Sequence, residues 1–151
     1  MSGNSKYTAD RIAENLNGDA ICIKPEKAYP AKGPGLFLKG GKSAMSGDSP
    51  ALAPYTFKAG DYDTVVFVFP VWAGRPAPPI KTFVEENLED LADKKIGVAA
   101  CSGGPSPKTF ERFRSMLGTI EPVAELNPVL PSSKPDPEKD KAIDEFCAKL
   151  K

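Results

Sequence analysis

The order of hydrophobic patterns predicts an α/β fold of three layers: a mostly parallel sheet with helices on both faces. Three observations predict it. Amphipathic stretches at helical spacing alternate with short apolar runs, in the order α, β, β, α, β, α, β, α; such alternation is the pattern of strands joined by crossover helices. The apolar runs Val65–Phe69 and Ile96–Ala100 lack the polar alternation of a half-exposed strand, which reads as burial on both faces. Each run then enters a Gly- and Pro-rich loop, 70–79 and 101–107. In open α/β sheets, ligands bind at the carboxyl ends of the strands.

Taken in order, Lys6–Leu16 places Ala9, Ile12, Ala13 and Leu16 at three- and four-residue spacings, with Asn17-Gly18 as a stop signal. It is predicted as an amphipathic helix. Ala20–Lys24 reads as a short strand ended by Pro25. Residues 25–60 are rich in Gly, Pro, Lys and Ser; there Leu36-Phe37-Leu38, Ala44, Met45 and Leu52 suggest a short helix or a hydrophobic flap. So long a connection in a compact domain is usually partly structured or functional.

Val65–Phe69 is the expected central strand, and Pro70, which cannot donate to a ladder, is expected to end it. Pro79–Asn87 reads as a helix with proline in its first turn and Ile80, Phe83 and Val84 inward. Ile96–Ala100 is the second buried strand. Lys108–Leu117 is a helix with Phe110, Phe113, Met116 and Leu117 inward, and Pro122–Leu126 a weaker strand. Pro131–Pro137 reads as a linker with Asp136 as an N-cap. The closing helix, Glu138–Leu150, carries Ile143, Phe146, Cys147 and Leu150 as its apolar stripe. No internal repeat is visible.

At 151 residues, the chain is expected to form one domain over 1–151. Lys+Arg and Asp+Glu number 20 each, which gives no basic surplus for a nucleic-acid partner. No run reaches the length of a membrane span and no leader is visible. The three cysteines, Cys22, Cys101 and Cys147, are widely spaced, a usage that fits reduced thiols and a cytoplasmic location. The absence of histidine excludes His-based triads, general bases and metal sites. Redox or transfer chemistry in such a chain falls to a cofactor.

Three loops could bind a ligand, and each also has a plainer role. Ser2-Gly3-Asn4-Ser5 opens a helix, so it reads as ordinary N-capping or as an anion site built on free N–H groups and the helix dipole. Pro70-Val71-Trp72-Ala73-Gly74 offers an aromatic plane for stacking and a glycine for close backbone approach, or else a proline-stiffened turn with Trp72 in the core. Cys101-Ser102-Gly103-Gly104 can point bare N–H groups at a polar ring edge, or form an ordinary βα turn. Cys101 reads as a small core hydrophobe, since nothing nearby in sequence would lower its pKa. Arg75 reads as a solvated loop arginine or as a counter-charge to an anionic ligand.

Together, and in this order, the three loops resemble those of the flavodoxin-like family of FMN proteins. Ser2-Gly3-Asn4-Ser5, followed by Ala9 and Ala13, is similar to its phosphate loop. Pro70-Val71-Trp72-Ala73-Gly74 and the following Pro78-Pro79-Ile80-Lys81-Thr82-Phe83 are similar to its second flavin loop and helix. Cys101-Ser102-Gly103-Gly104 before Lys108-Thr109-Phe110 is similar to its third, and residues 35–54 resemble a connection in one bacterial branch. The resemblance implies a flavodoxin-like sheet with FMN as cofactor. The phosphate would lie on Ser2, Gly3, Asn4 and Ser5, and the isoalloxazine between Trp72 and Cys101–Gly104. It implies electron or hydride transfer with a redox partner protein or a small-molecule acceptor. Family electron carriers are strongly acidic, whereas this chain is neutral, which favours a small reductase over a shuttle. The alternative is a flavodoxin-like scaffold that has lost FMN and serves as a binding or assembly module.

The resemblance has one gap. The family's sheet begins with a hydrophobic strand leading into the phosphate loop, and here Met1 stands where that strand would be ending. The first strand is therefore expected to be absent from this chain, leaving interior edges open in the strand order 2-1-3-4-5. Unpartnered buried backbone groups cost about 1–3 kcal/mol each, against a total stability of about 5–15 kcal/mol. One of three outcomes is expected: a natural start further upstream, an inward shift of Ala20–Lys24 to pair with Val65–Phe69, or a partner chain that completes the sheet as a homodimer. The inward shift is the least costly repair within the chain.

Overall fold

A computed structural model of the chain describes residues 3–29, 42–129 and 136–151. Four longer helices appear in it: α1 (Asn4–Leu16), α2 (Pro78–Asn87), α3 (Pro107–Leu117) and α4 (Pro137–Ala148). The strands are β1 (Thr64–Trp72), β2 (Arg75–Pro76), β3 (Lys95–Cys101) and β4 (Ala124–Leu126), in the sheet order β2-β1-β3-β4. β1 and β3 are parallel from Thr64↔Lys95 to Pro70↔Cys101, and β3 and β4 are parallel from Gly97↔Ala124 to Ala99↔Leu126. β2 turns back on β1 as a short antiparallel hairpin.

Side chains alternate across the two faces of the sheet, and each face is covered. Phe67, Phe69, Ile96, Val98 and Ala100 meet Phe83 and Val84 of α2 and Phe110, Phe113 and Leu117 of α3. On the other face Ala99 and Ala124, with Val66 and Val68 beside them, meet Ile12 of α1 and Ile143, Phe146 and Cys147 of α4. These are the three expected layers. α1 stops at Asn17, which takes a left-handed φ of 53° and donates to Ala13 O and Glu14 O. α4 starts at Asp136, whose carboxylate accepts from the N–H groups of Glu138 and Lys139, the capping expected of Asp before a helix.

Three expectations are corrected. Ala20–Lys24 is not a strand; Ala20, Ile21, Cys22 and Lys24 are exposed, and the segment makes only an isolated bridge, Pro25↔Leu52, just beyond it. Its inward shift against Val65–Phe69 therefore does not occur. An apolar composition favours a strand only where a neighbouring strand supplies packing; here only Ile23 packs against the core, and Lys24 O accepts from Ala53 N. Secondly, β1 does not stop at Pro70 but runs on to Trp72. A proline is tolerated inside a strand where its missing N–H would face an unpaired edge. Among the described residues, no strand pairs with the second edge of β1 over residues 64–70. Thirdly, the last strand is shorter than Pro122–Leu126. The connection before β1 takes the short-helix alternative where it is described. Residues 42–46 are helical, and the segment is tied to α2 by Lys81 Nζ to Gly47 O (2.5 Å), Thr82 Oγ1 to Pro50 O (2.9 Å) and Ser49 Oγ to Glu85 Oε2 (2.7 Å). Leu36-Phe37-Leu38 and most of the 131–137 linker lie outside the described residues.

Candidate functional site

The parallel register carries β1 and β3 to the same edge of the sheet, with Pro70 beside Cys101. The loops that follow both strands, and the first turn of α1, gather there. Cys101 is the buried last residue of β3; its thiol donates to Thr8 Oγ1 at 3.7 Å, and the Ser5 hydroxyl is also within its reach. The first turn of α1 thus sits against the end of β3. Ser2 lies outside the described residues. Gly3 is exposed and takes φ 81° as the N-cap, with no side chain capping the helix; a left-handed cap of this kind is open to glycine. Asn4 is only 8% exposed, yet its Oδ1 has no hydrogen-bond partner. A buried polar atom without a partner is unusual and calls for a cause.

The 101–106 loop is organised by a residue that sequence reasoning missed. Asn127, just past β4, donates from Nδ2 to Ala100 O (2.7 Å) and Ser102 Oγ (2.8 Å) and accepts at Oδ1 from Ser106 N (3.0 Å). Ser102 and Ser106 both donate to Gly104 O. Ser102 is buried, Gly104 half-buried and Gly103 exposed. In the first turn of α3, which follows this loop, Thr109 is fully buried and its hydroxyl too lacks a partner.

Pro70, Val71 and Trp72 complete β1, and Ala73 and Gly74 turn the chain into β2 with φ of 50° and 69°. Positive φ at both central residues of a two-residue hairpin is the type I′ turn, which Asn-Gly or Asp-Gly would announce in sequence. Ala at the first position is strained by about 1–2 kcal/mol. Ala73→Gly is therefore expected to stabilise the chain by about 0.5–1 kcal/mol, allowing for glycine's greater freedom when unfolded; a urea denaturation midpoint checks this. Trp72 is half-buried and meets the Tyr29 ring edge-on, with centroids 5.2 Å apart at 89°. The Tyr29 hydroxyl is 3.1 Å from Ser43 Oγ. Gly74 O accepts from Nη1 of Arg112 on α3. Arg75 is half-buried in β2, paired with Trp72.

The thiols are core groups. Burial pushes both Cys101 and Cys147 above the ordinary value of 9.0, with Ser5 and Thr8 opposing the shift at Cys101. In the unfolded chain these thiols ionise as the pH rises through about 9, while the folded chain still holds both protons. Their contribution to stability is thus complete below that pH and is lost above it. The urea midpoint is expected to fall from pH 9 upward, with a shallower fall in a Cys101→Ala, Cys147→Ala double variant. Among the described residues, no group of three or more Cys, Asp and Glu side chains is placed to hold a metal ion, and no helix is long and apolar enough to cross a membrane.

No family model and no curated protein matches the chain. Solved structures do. A flavoprotein from Lactobacillus acidophilus, crystallised in complex with FMN, superposes with a TM-score of 0.74 at 19% identity, over 96% of this chain and 91% of that one. A protein from Bacteroides eggerthii described as a flavoprotein gives a TM-score of 0.73 at 20% identity, over 98% of this chain and 91% of that one. The likeness shows the fold: this chain is an α/β sandwich of the flavodoxin-like kind.

Proposed function

We propose that this chain binds FMN at the carboxyl edge of its sheet and works as a small flavoprotein reductase. The observation that carries the reading is Asn4: a buried carboxamide with an unpartnered oxygen, at the start of a helix that no side chain caps. A helix N-terminus of this kind favours a phosphate through its free N–H groups and its dipole. Rotation of the carboxamide about its last bond would offer the phosphate an N–H donor instead. Ser2, Gly3, Asn4 and Ser5 would hold the phosphate, and Pro70, Val71, Trp72, Ala73 and Gly74 would flank the ring with Cys101, Ser102, Gly103 and Gly104. The similarity to a fold neighbour crystallised with FMN adds support.

When bound, FMN supplies one- and two-electron redox chemistry. The chain's own part is to bind and orient. The Trp72 ring, set by Tyr29, supplies a stacking plane. Asn127 holds the backbone of Ser102–Gly104, whose N–H groups read a polar ring edge. Cys101, buried and with its pKa raised, fills space under the site and does not act as a nucleophile. Formal net charge of zero gives no long-range steering toward a charged protein, and fits a small-molecule acceptor better than a protein redox partner. Among the described residues the second edge of β1 has no partner strand over 64–70, which fits the reading that the sheet lacks the family's first strand, and a second copy pairing there would make a homodimer.

Comparison of FMN with riboflavin tests the phosphate end. Titrated into the chain while flavin fluorescence is followed, FMN is expected to bind at least about tenfold tighter, the loss of one charge-assisted contact set. Asn4→Ala should narrow that ratio. Equal affinity for both flavins would place the phosphate elsewhere. No binding of either would leave the second reading, a flavodoxin-like scaffold without FMN.

A further inference from the structure

The β1–β2 hairpin that carries Trp72 is poorly built to hold itself. It has two rungs, Val71↔Pro76 and Trp72↔Arg75, and Pro76 has no N–H to give a ladder. One of its two turn residues is Ala73, held at φ 50°. A lone two-stranded ribbon is marginal even with good turn residues. Yet the turn is held, and a side chain from another layer of the molecule holds it. Arg112 stands on the face of α3 that meets the hairpin; its Nη1 donates to Gly74 O and lies 3.2 Å from where a Cβ on Gly74 would sit. Glycine at position 74 thus serves both the positive φ and the close approach of the guanidinium. Among the described residues Arg112 has no carboxylate within ion-pair distance, so its charge is directed to the loop and not to a salt bridge.

We propose that Arg112 is a positioning residue that clamps the Trp72–Arg75 turn and so fixes the Trp72 ring as a ligand platform. The ligand half of this inference rests on the FMN reading above; the clamp itself does not. A charge-assisted bond to a carbonyl is stronger than a neutral one, and the planar guanidinium is less mobile in it than a lysine ammonium would be. Loss of the clamp releases the strained Ala73, and the turn then samples conformations in which Trp72 leaves the Tyr29 ring.

Trp72 is the only tryptophan, so its fluorescence reports this turn alone. Arg112→Met, which keeps the apolar stem, is expected to red-shift Trp72 emission and raise its quenching by acrylamide in the ligand-free chain, without denaturant. Arg112→Lys should recover part of both. In the same variants FMN affinity should fall by about tenfold for Met, the loss of one charge-assisted bond's worth of order, and less for Lys. Ile143→Val, which trims the core on the other face of the sheet, serves as a stability-matched control and should leave Trp72 emission unchanged. Unchanged emission and quenching in Arg112→Met, or an equal change in Ile143→Val, would overturn the clamp. If Arg112→Met does not fold, Arg112→Lys decides by the same two measurements. If the wild-type chain binds no FMN, the FMN reading fails while the emission data still decide the clamp. If FMN binds equally to wild type and Arg112→Met despite a shifted emission, the platform role is overturned and the clamp stands.

Discussion

Phe113→Ala is expected to destabilise the chain by about 3–5 kcal/mol, a large share of the about 5–15 kcal/mol that holds a domain of this size. Phe113 is 0% exposed and its ring joins α3 to the sheet: its centroid lies 5.0 Å from that of Phe67 and 5.3 Å from that of Phe69, tilted by 57° and 31°. Phe67 in turn meets Phe83 of α2 edge-on, at 5.9 Å and 70°. Removing the central ring takes away both aromatic pairs and leaves a cavity bounded by strands that cannot collapse into it. The loss should appear as a lower urea midpoint with an unchanged slope, which marks a change in stability alone. A drop below about 1 kcal/mol would mean that α3 does not pack as described.

The second large effect comes from adding atoms. Gly97 lies in the middle of β3, where a glycine would ordinarily weaken a strand. A Cβ there would stand 2.8 Å from Leu150 Cδ1, 3.0 Å from Phe146 Cζ and 3.3 Å from Val66 Cγ2. The closest of these is the tip of the Leu150 side chain, which can shift. Gly97→Ala should therefore cost only about 1 kcal/mol, whereas the two methyls of Gly97→Val must push the Phe146 ring and with it α4 off the sheet, at about 3 kcal/mol. Strand propensity alone predicts the opposite order, with Val favoured, so the pair of variants separates packing from propensity. Urea midpoints of the two decide it.

What could be read from sequence and what could not divides on physical lines. β3 was legible because a strand buried on both faces is apolar throughout; β1 shares that composition although only Phe67 and Phe69 in it are buried and the rest half-buried, and the helices were legible because each carries a stripe at helical spacing. Ala20–Lys24 has a similar composition but no partner strand among the described residues, and a single chain does not reveal which segments find partners. β1 runs past the expected end at Pro70 because the rule against proline applies to paired edges, and among the described residues no strand pairs with this one. The hairpin was hidden twice, by Ala where the turn prefers Asn or Asp and by Pro76 in its second strand. In the site, loops 70–74 and 101–104 were visible as glycine and proline clusters at strand ends. Asn127, Arg112 and Tyr29 were not, because each acts on a loop 21 or more residues away and nothing local distinguishes it. A polar residue directly after the short strand β4 was the one available signal for Asn127, since strand ends on that edge of the sheet face the site.

The proposed function rests on FMN binding at the carboxyl edge of this sheet. Its most direct test is titration of the purified chain with FMN while flavin fluorescence is followed at micromolar protein. Saturable quenching is expected, with Trp72 emission quenched in parallel as the ring settles beside it. Flavin fluorescence that stays unquenched at every protein concentration through the micromolar range would contradict it.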